Sequence, residues 1–416
     1  MTRHVIIGNG PAGVVAAETL RRADPDAEVV LIGDEAEPPY SRMAIPYLLA
    51  GQIGEAGTYL RKDVDHFDRL RIRLLVARVS AVDVKARLLR MLDGSTLAYD
   101  RLLIATGSHA VRPPIPGIDL SGVLSCWTLA DARAIAAAVK PGARVLQMGA
   151  GFIGCIIMES LAMRGPDLMV VEMGDRMVPR MMDAVAGGMI RRWCEEKGVA
   201  VRTGRRVTSI VPTGETLLAT LDDGEQVEVD VVISATGVKP NVAFLEGSGI
   251  AIDSGILVDE AMQVSVPGIY AAGDVAEASE FGTGRRVVNA IQPDAVEQGR
   301  VAALNMAGQA TKINGSFVLN VLDTLGLISA SFGQWQGVAG GDTAYLLDEK
   351  GYRYLCLAFD GDRLIGANSI GHTEHIGVLR GLIQGRVRLG EWKARLIANP
   401  LAINEAYLAR GLAFVP

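Results

Sequence analysis

The chain has 416 residues, enough for two or three domains with large buried cores. Hydrophobic residues make up 49% and charged residues 21%, a globular balance, and the net charge of −6 argues against nucleic acid or an anionic membrane as partner. The four cysteines (Cys126, Cys155, Cys194 and Cys356) form no CxxC pair, so neither a disulfide framework nor a metal site is expected.

The chain opens on HVIIGNGPAGVV, where glycine and proline break the apolar run, so it is not read as a secretory signal. No stretch approaches the ~18–20 apolar residues of a membrane span, and a cytoplasmic protein is expected. A strand over 5–7 is predicted to run into Gly8, Gly10 and Gly13, with Pro11 and Ala12 opening a helix. A second strand over 28–32 ends at Gly33, followed by Asp34 and Glu35. Next comes AEPPYSRMAIPYLLAG (36–51), with three prolines, two tyrosines, Arg42 and no cysteine. LLRMLDGSTLAYDRLLIATGS (88–108) then predicts a strand, an Asp-Gly hairpin turn, a strand, and Ala105, Thr106 and Gly107.

The pattern then repeats. A strand over 145–148 leads into Gly149, Gly151, Phe152, Ile153 and Gly154, then a helix, a strand and Glu172. LLATLDDGEQVEVDVVISATG (217–237) again predicts strand, Asp-Gly turn, strand, ending in Thr236 and Gly237. From Gly94 to Ala105 is eleven residues, and from Gly224 to Ala235 is also eleven. One GxGxxG is a weak signal; two, each inside strand–helix–strand and each followed by the same hairpin, form a strong one for dinucleotides. The first glycine makes a tight turn, the second admits the pyrophosphate, and the third lets helix pack on strand. The helix N-terminus then offers free N–H groups and a positive dipole end to the phosphates. Glu172, 23 residues after Gly149, is expected to accept from ribose hydroxyls and to favour NADH over NADPH. Arg176, four residues on, would soften that preference if it were not a solvated surface charge. In the first unit either Asp34 or Glu35 is expected to hold a ribose.

Downstream, a buried strand reaches Gly273 and Asp274, a placement suited to accepting from a polyol or to capping a turn. Gln292-Pro293-Asp294 opens a helix with proline in its first turn. From about Thr311 the chain reads as a separate α+β domain, with strands in VLNVLDTLGLISASFGQ and YRYLCLAFDGDRLIGANSIG and helices in GVLRGLIQG and NEAYLARGLAF. His372 and His375 lack an evident third ligand, so a hydrogen-bonding or interface role is expected rather than metal.

GNGPAG at 8–13, ATGS at 105–108, GAGFIG at 149–154, SATG at 234–237 and YAAGDV at 270–275 together resemble the pyridine nucleotide–disulfide oxidoreductase superfamily. The resemblance implies an α/β fold with two Rossmann-like, glutathione-reductase-like domains. It places FAD in residues 1–111 and 241–311, NAD(H) in 112–240, and a C-terminal α+β interface domain in 312–416, joined as a homodimer. It also implies that Asp274 meets the ribityl chain. If the helix opened by Gln292 points at the flavin, its dipole would stabilise negative charge on the reduced ring.

Within that superfamily the stretch 36–51 discriminates. Disulfide reductases carry CxxxxC there, and the NADH peroxidase, NADH oxidase and coenzyme A-disulfide reductase branch carries one cysteine where this chain has Met43. A thioether forms neither a sulfenate nor a mixed disulfide. The chain therefore resembles the cysteine-less branch of ferredoxin and rubredoxin reductases and the flavin part of NADH–nitrite reductases. That branch implies hydride transfer from NADH to FAD N5, then electrons to a ferredoxin, a rubredoxin or a reductase subunit. The alternatives are an NADH oxidase or diaphorase using oxygen or a quinone, and a non-catalytic NADH-sensing flavoprotein. Many relatives pair a lysine beside the flavin with a glutamate; the matching residues are Tyr47 and Ile156. Losing one partner of a buried pair costs about 3–5 kcal/mol, whereas losing both can be nearly neutral. Glu159 or Arg42 is expected to supply the catalytic charge instead, unless Arg42 only pairs with a phosphate or a carboxylate. Arg61, Lys62, Arg69, Arg71 and Arg73 offer a basic docking patch or a solvated face.

Overall fold

The structure, a computed structural model, describes residues 1–374 and 376–410. The chain forms two compact units, Met1–His109 with Val238–Ser316 and Ala110–Gly237 with Phe317–Pro416.

The first unit is built on a five-stranded parallel sheet in the order Ile269–Ala271, Arg101–Ile104, Arg3–Ile7, Glu28–Gly33, Ile72–Val76. Its central strands are continuous apolar runs because both faces are covered; Val5, Ile6, Val30, Leu31, Leu102 and Leu103 are all fully buried. Strand order reverses between Arg3–Ile7 and Arg101–Ile104, and ligands of open α/β sheets bind at the carboxyl ends of such neighbours. The helices Pro11–Ala23 and Gln292–Met306 cross closely, since a Cβ on Gly299 would come 2.4 Å from the Ala12 carbonyl oxygen.

The second unit repeats the plan. Its parallel sheet runs Ala200–Thr203, Asp167–Glu172, Arg144–Met148, Val231–Ser234, Val123–Ser125. In both units an antiparallel hairpin leads into the fourth strand of the repeat, at Leu88–Ala98 and Thr216–Val229. The outer strand next to it comes from opposite directions along the chain, from 269–271 in one unit and from 123–125 in the other.

The second unit also holds a five-stranded antiparallel sheet ordered Leu319–Thr324, Leu327–Gly333, Arg363–Ile370, Arg353–Asp360, Asp342–Asp348. A polar network fixes it to the helix Ala184–Glu196. Asp183 caps that helix by accepting from the Ala186 amide (2.8 Å) and takes the Tyr354 hydroxyl (2.6 Å). The Asp183 amide donates to Asn368, whose side chain donates to the Met181 carbonyl. Among the described residues no helix is long and apolar enough to cross a membrane. His375 and the end of the expected C-terminal helix lie outside the described residues.

Candidate functional site

Each glycine loop is shaped by the same contacts. In the first unit the Gly8 amide donates to the Ile32 carbonyl (2.7 Å) and the Ala105 amide to the Ile7 carbonyl (2.7 Å). In the second, Gly149 donates to Val171 and Ala235 to Met148, both at 2.8 Å. Gly8 has φ +109 and Gly149 φ +100, a region that favours glycine, and a Cβ would lie 2.0 Å from the Ala105 carbonyl oxygen and 2.4 Å from that of Ala235. The Ala-Thr-Gly motif thus belongs to the loop: its alanine carbonyl is what the first glycine packs on.

The middle glycines behave differently. A Cβ on Gly10 or Gly151 would meet nothing within 4 Å. Each precedes a helix, Pro11–Ala23 or Phe152–Ala162, whose N-terminus has no side-chain cap. Open space against uncapped amides is the cradle a pyrophosphate needs. The residues therefore fit two dinucleotides, one per unit.

In the first unit, Gly273 (φ +80) turns the chain so that a Cβ there would touch the Cβ atoms of Ala12 (3.3 Å) and Ala295 (3.5 Å). Asp274 therefore stands beside the openings of both helices. Its carboxylate accepts from the Ser108 hydroxyl at 2.8 Å, and burial holds its pKa above the usual value, partly offset by that bond and by Arg42. The Gly273 amide donates to buried Gln298 (2.8 Å), and the Ser41 hydroxyl donates to Gln292 (2.6 Å). Arg42 pairs with Glu35 (2.8 Å) and donates to the Tyr40 hydroxyl (3.0 Å), which itself donates to Glu35 (2.6 Å). Glu35 thus has one acceptor position on each oxygen taken by its neighbours, while Asp34 is exposed. Met43 and Tyr47 are exposed, at 45% and 56%. Of the basic cluster, Arg61 is bound to Glu18, which also takes His66, and Arg69 pairs with Asp63 and Asp65. Two of the five cations are thus committed to carboxylates, and Arg71 donates to the Pro25 carbonyl.

In the second unit, Glu172 is 8% exposed and accepts from the Ala150 and Gly174 amides, both at 2.6 Å. The equivalent place in the first unit is Gly33, where the Asn9 side chain fills the room a Cβ would need (2.3 Å). Buried Gln147 donates to the Gly149 and Gly154 carbonyls (2.8 Å each) and braces the loop from below. Gln147 and Gln298 escaped sequence reasoning because a buried amide has no periodic signature, and Ser108 was visible only as the last letter of ATGS, without its bond to Asp274. Gly299 had one: a glycine inside an otherwise helical run.

Glu159, on the helix Phe152–Ala162, has its pKa pushed up to about 7 from the usual 4.5 by burial and by the Asp323 charge. A raised carboxyl binds more protons folded than unfolded, so stability falls as pH rises from about 4.5 to 7 and is level above that. Glu159→Gln is expected to flatten this part of the melting-temperature profile; an unchanged slope would refute the assignment.

The model of the family described as pyridine nucleotide-disulphide oxidoreductase matches residues 2–299. The chain belongs to this family. As its members do, it works as an NAD(P)H-dependent flavin oxidoreductase using FAD. It is 34% identical over 413 residues, 98% of both chains, to the NADH-dependent phenylglyoxylate dehydrogenase subunit epsilon of Aromatoleum evansii. It is 36% identical over 309 residues, 73% of this chain and 75% of the other, to the ferredoxin–NAD(+) reductase component of the anthranilate 1,2-dioxygenase system of Burkholderia cepacia. Among solved structures it is similar to the ferredoxin reductase for the CYP199A2 system from Rhodopseudomonas palustris, at 25% identity and TM-score 0.85, covering 93% of this chain and 95% of that one.

Proposed function

We propose that this oxidoreductase takes electrons from NADH and passes them to a separate redox protein, acting as the NAD(H)-handling component of a larger redox assembly. One observation carries the reading: the first unit contains no cysteine, and Met43 stands where a thiol relay would. The whole-length likeness to a dehydrogenase subunit and the likeness to ferredoxin reductases support it. FAD, when bound, accepts a hydride's electron pair and can release electrons one at a time, the task a ferredoxin or rubredoxin requires. The chain's own residues do the holding. The Gly8–Gly13 loop and Asp274 are assigned to FAD, and the Gly149–Gly154 loop and Glu172 to NAD(H). Arg42, held by Glu35 and Tyr40, places a guanidinium on the segment 36–51 and is assigned to the flavin side of the site. The same reading includes a cytoplasmic location and a homodimer, the latter supported by exposed Tyr345, Leu346 and Leu347 on the edge strand Asp342–Asp348.

The test is anaerobic reduction by NADH followed by an acceptor screen. Turnover with a ferredoxin or rubredoxin is expected at about 1 per second or more, within the ordinary enzyme range, and oxygen consumption far slower. Oxygen as the fastest acceptor would overturn the reading. Alkylation with iodoacetamide is expected to leave the rate unchanged, because Cys126, Cys155 and Cys194 are buried, and because half-buried Cys356, whose thiol pKa burial also raises, lies in the other unit from the residues assigned to FAD. Loss of turnover on alkylation would restore a sulfur relay.

A further inference from the structure

We propose that Gly174 and Pro179 are positioning residues for Glu172, and that the choice of NADH over NADPH depends on the turn they build as well as on the carboxylate. The proposal rests on the reading that the second unit holds NAD(H).

A carboxylate has about four acceptor positions, two per oxygen. The Ala150 amide occupies one on Oε2 and the Gly174 amide one on Oε1. One position per oxygen is left, a pair suited to the two neighbouring hydroxyls of a ribose and repulsive to a phosphate on either of them. That geometry holds only while the Gly174 amide stays in place, and the surrounding backbone gives it no freedom. The Gly174 carbonyl accepts from the Gly204 amide at 2.7 Å, and the Glu172 carbonyl accepts from the Arg205 amide at 3.1 Å. On the other side is Pro179: a Cβ built on Gly174 would lie 2.9 Å from the proline Cγ and 3.1 Å from Glu172 Oε1. Any side chain at 174 must therefore displace the proline ring or the carboxylate.

Two arginines beside the turn, Arg176 in sequence and Arg205 through its amide, are engaged elsewhere. Arg176 donates through Nε to the Met182 carbonyl (3.1 Å) and pairs through Nη1 with Asp175 (3.0 Å). Its aliphatic stem lies under Gly187, where a Cβ would come 2.9 Å from the arginine Cδ. Arg205 pairs with Asp223 at 2.6 Å. Both guanidinium groups have other partners, which leaves the oriented carboxylate as the charge held in place by the turn.

The experiment measures NAD+ and NADP+ binding to the flavin-loaded full chain by isothermal titration, with no turnover involved. The wild type is expected to prefer NAD+. In Gly174→Ala that preference is expected to fall about tenfold, the size of one charge-assisted hydrogen bond, mainly through weaker NAD+ binding. Gly174→Ala/Pro179→Ala, which reopens the space, is expected to recover most of the loss. Wild-type selectivity in Gly174→Ala would overturn the positioning role alone, as would an equal loss for both nucleotides. A wild type that binds neither nucleotide would instead overturn the assignment of the second unit on which the proposal stands.

Discussion

Gly13→Ala is expected to yield protein that no longer retains flavin, while the matching change in the second unit, Gly154→Ala, is expected to leave flavin bound. The two positions occupy the same place in the same motif, but their clearances differ. A Cβ on Gly13 would lie 1.8 Å from the Gly8 carbonyl oxygen and 3.3 Å from the Ile6 side chain. On Gly154 it would lie 2.5 Å from the Gly149 oxygen and 3.4 Å from the Gln147 amide nitrogen. Alanine gains up to about 1 kcal/mol over glycine inside a helix, whereas overpacking costs about 1–3 kcal/mol and sometimes more. At Gly13 the obstacle is backbone carbonyl and a branched side chain at the centre of a parallel sheet, so the helix must move off the strand that bears the loop. At Gly154 the nearest obstacle is also a backbone carbonyl, but 0.7 Å further off, so a smaller displacement relieves it. The expected difference is about 2 kcal/mol in stability, read from melting temperatures and from visible absorbance per protein. Equal flavin content and equal melting in the two variants would show that the third glycine does not govern the packing.

That asymmetry marks the limit of what the sequence makes legible. The two glycine loops, their helices, the matching hairpins and the Ala-Thr-Gly segments are readable because they rest on backbone constraints that only glycine satisfies, and because the pattern occurs twice. The contact that explains the Ala-Thr-Gly motif, an alanine carbonyl beneath the first glycine, joins residues 97 apart in the first unit and 86 apart in the second, and local pattern gives no access to it. The same holds for Ser108 with Asp274 and for Gln298 with Gly273, long-range bonds made by residues that look ordinary in their own segments. The edge strand Asp342–Asp348 is not readable at all, because only Ala344 in it is buried and no alternation results. Nor does local pattern show Tyr40 and Arg42 folded back onto Glu35. Glu172 was legible as an acid at a strand end, but its two backbone donors were not.

Asp274→Ala is the second change expected to have a large effect, weakening flavin retention by about 100-fold. Gly273 sets the turn against Ala12 and Ala295, so the carboxylate stands where the two helix openings meet. It accepts from Ser108 and from its own backbone amide, and burial penalises its charge. A charged acceptor in partly desolvated surroundings, with about four acceptor positions, still has spare capacity for the hydroxyls of a polyol. Hydrogen bonds to charged groups contribute about 1.5–3 kcal/mol each, and removing two such bonds corresponds to the stated loss even if part is regained by water. Asp274→Asn keeps the shape but turns half the acceptor into donors, so an intermediate loss of roughly tenfold is expected. Ser108→Ala removes only the supporting hydroxyl and is expected to cost about threefold or less. Equilibrium dialysis of flavin from the three variants, with melting temperatures as a control for folding, gives the ranking. If Asp274→Ala binds flavin as tightly as the wild type, this carboxylate is a turn cap and the polyol of the cofactor is held elsewhere in the unit.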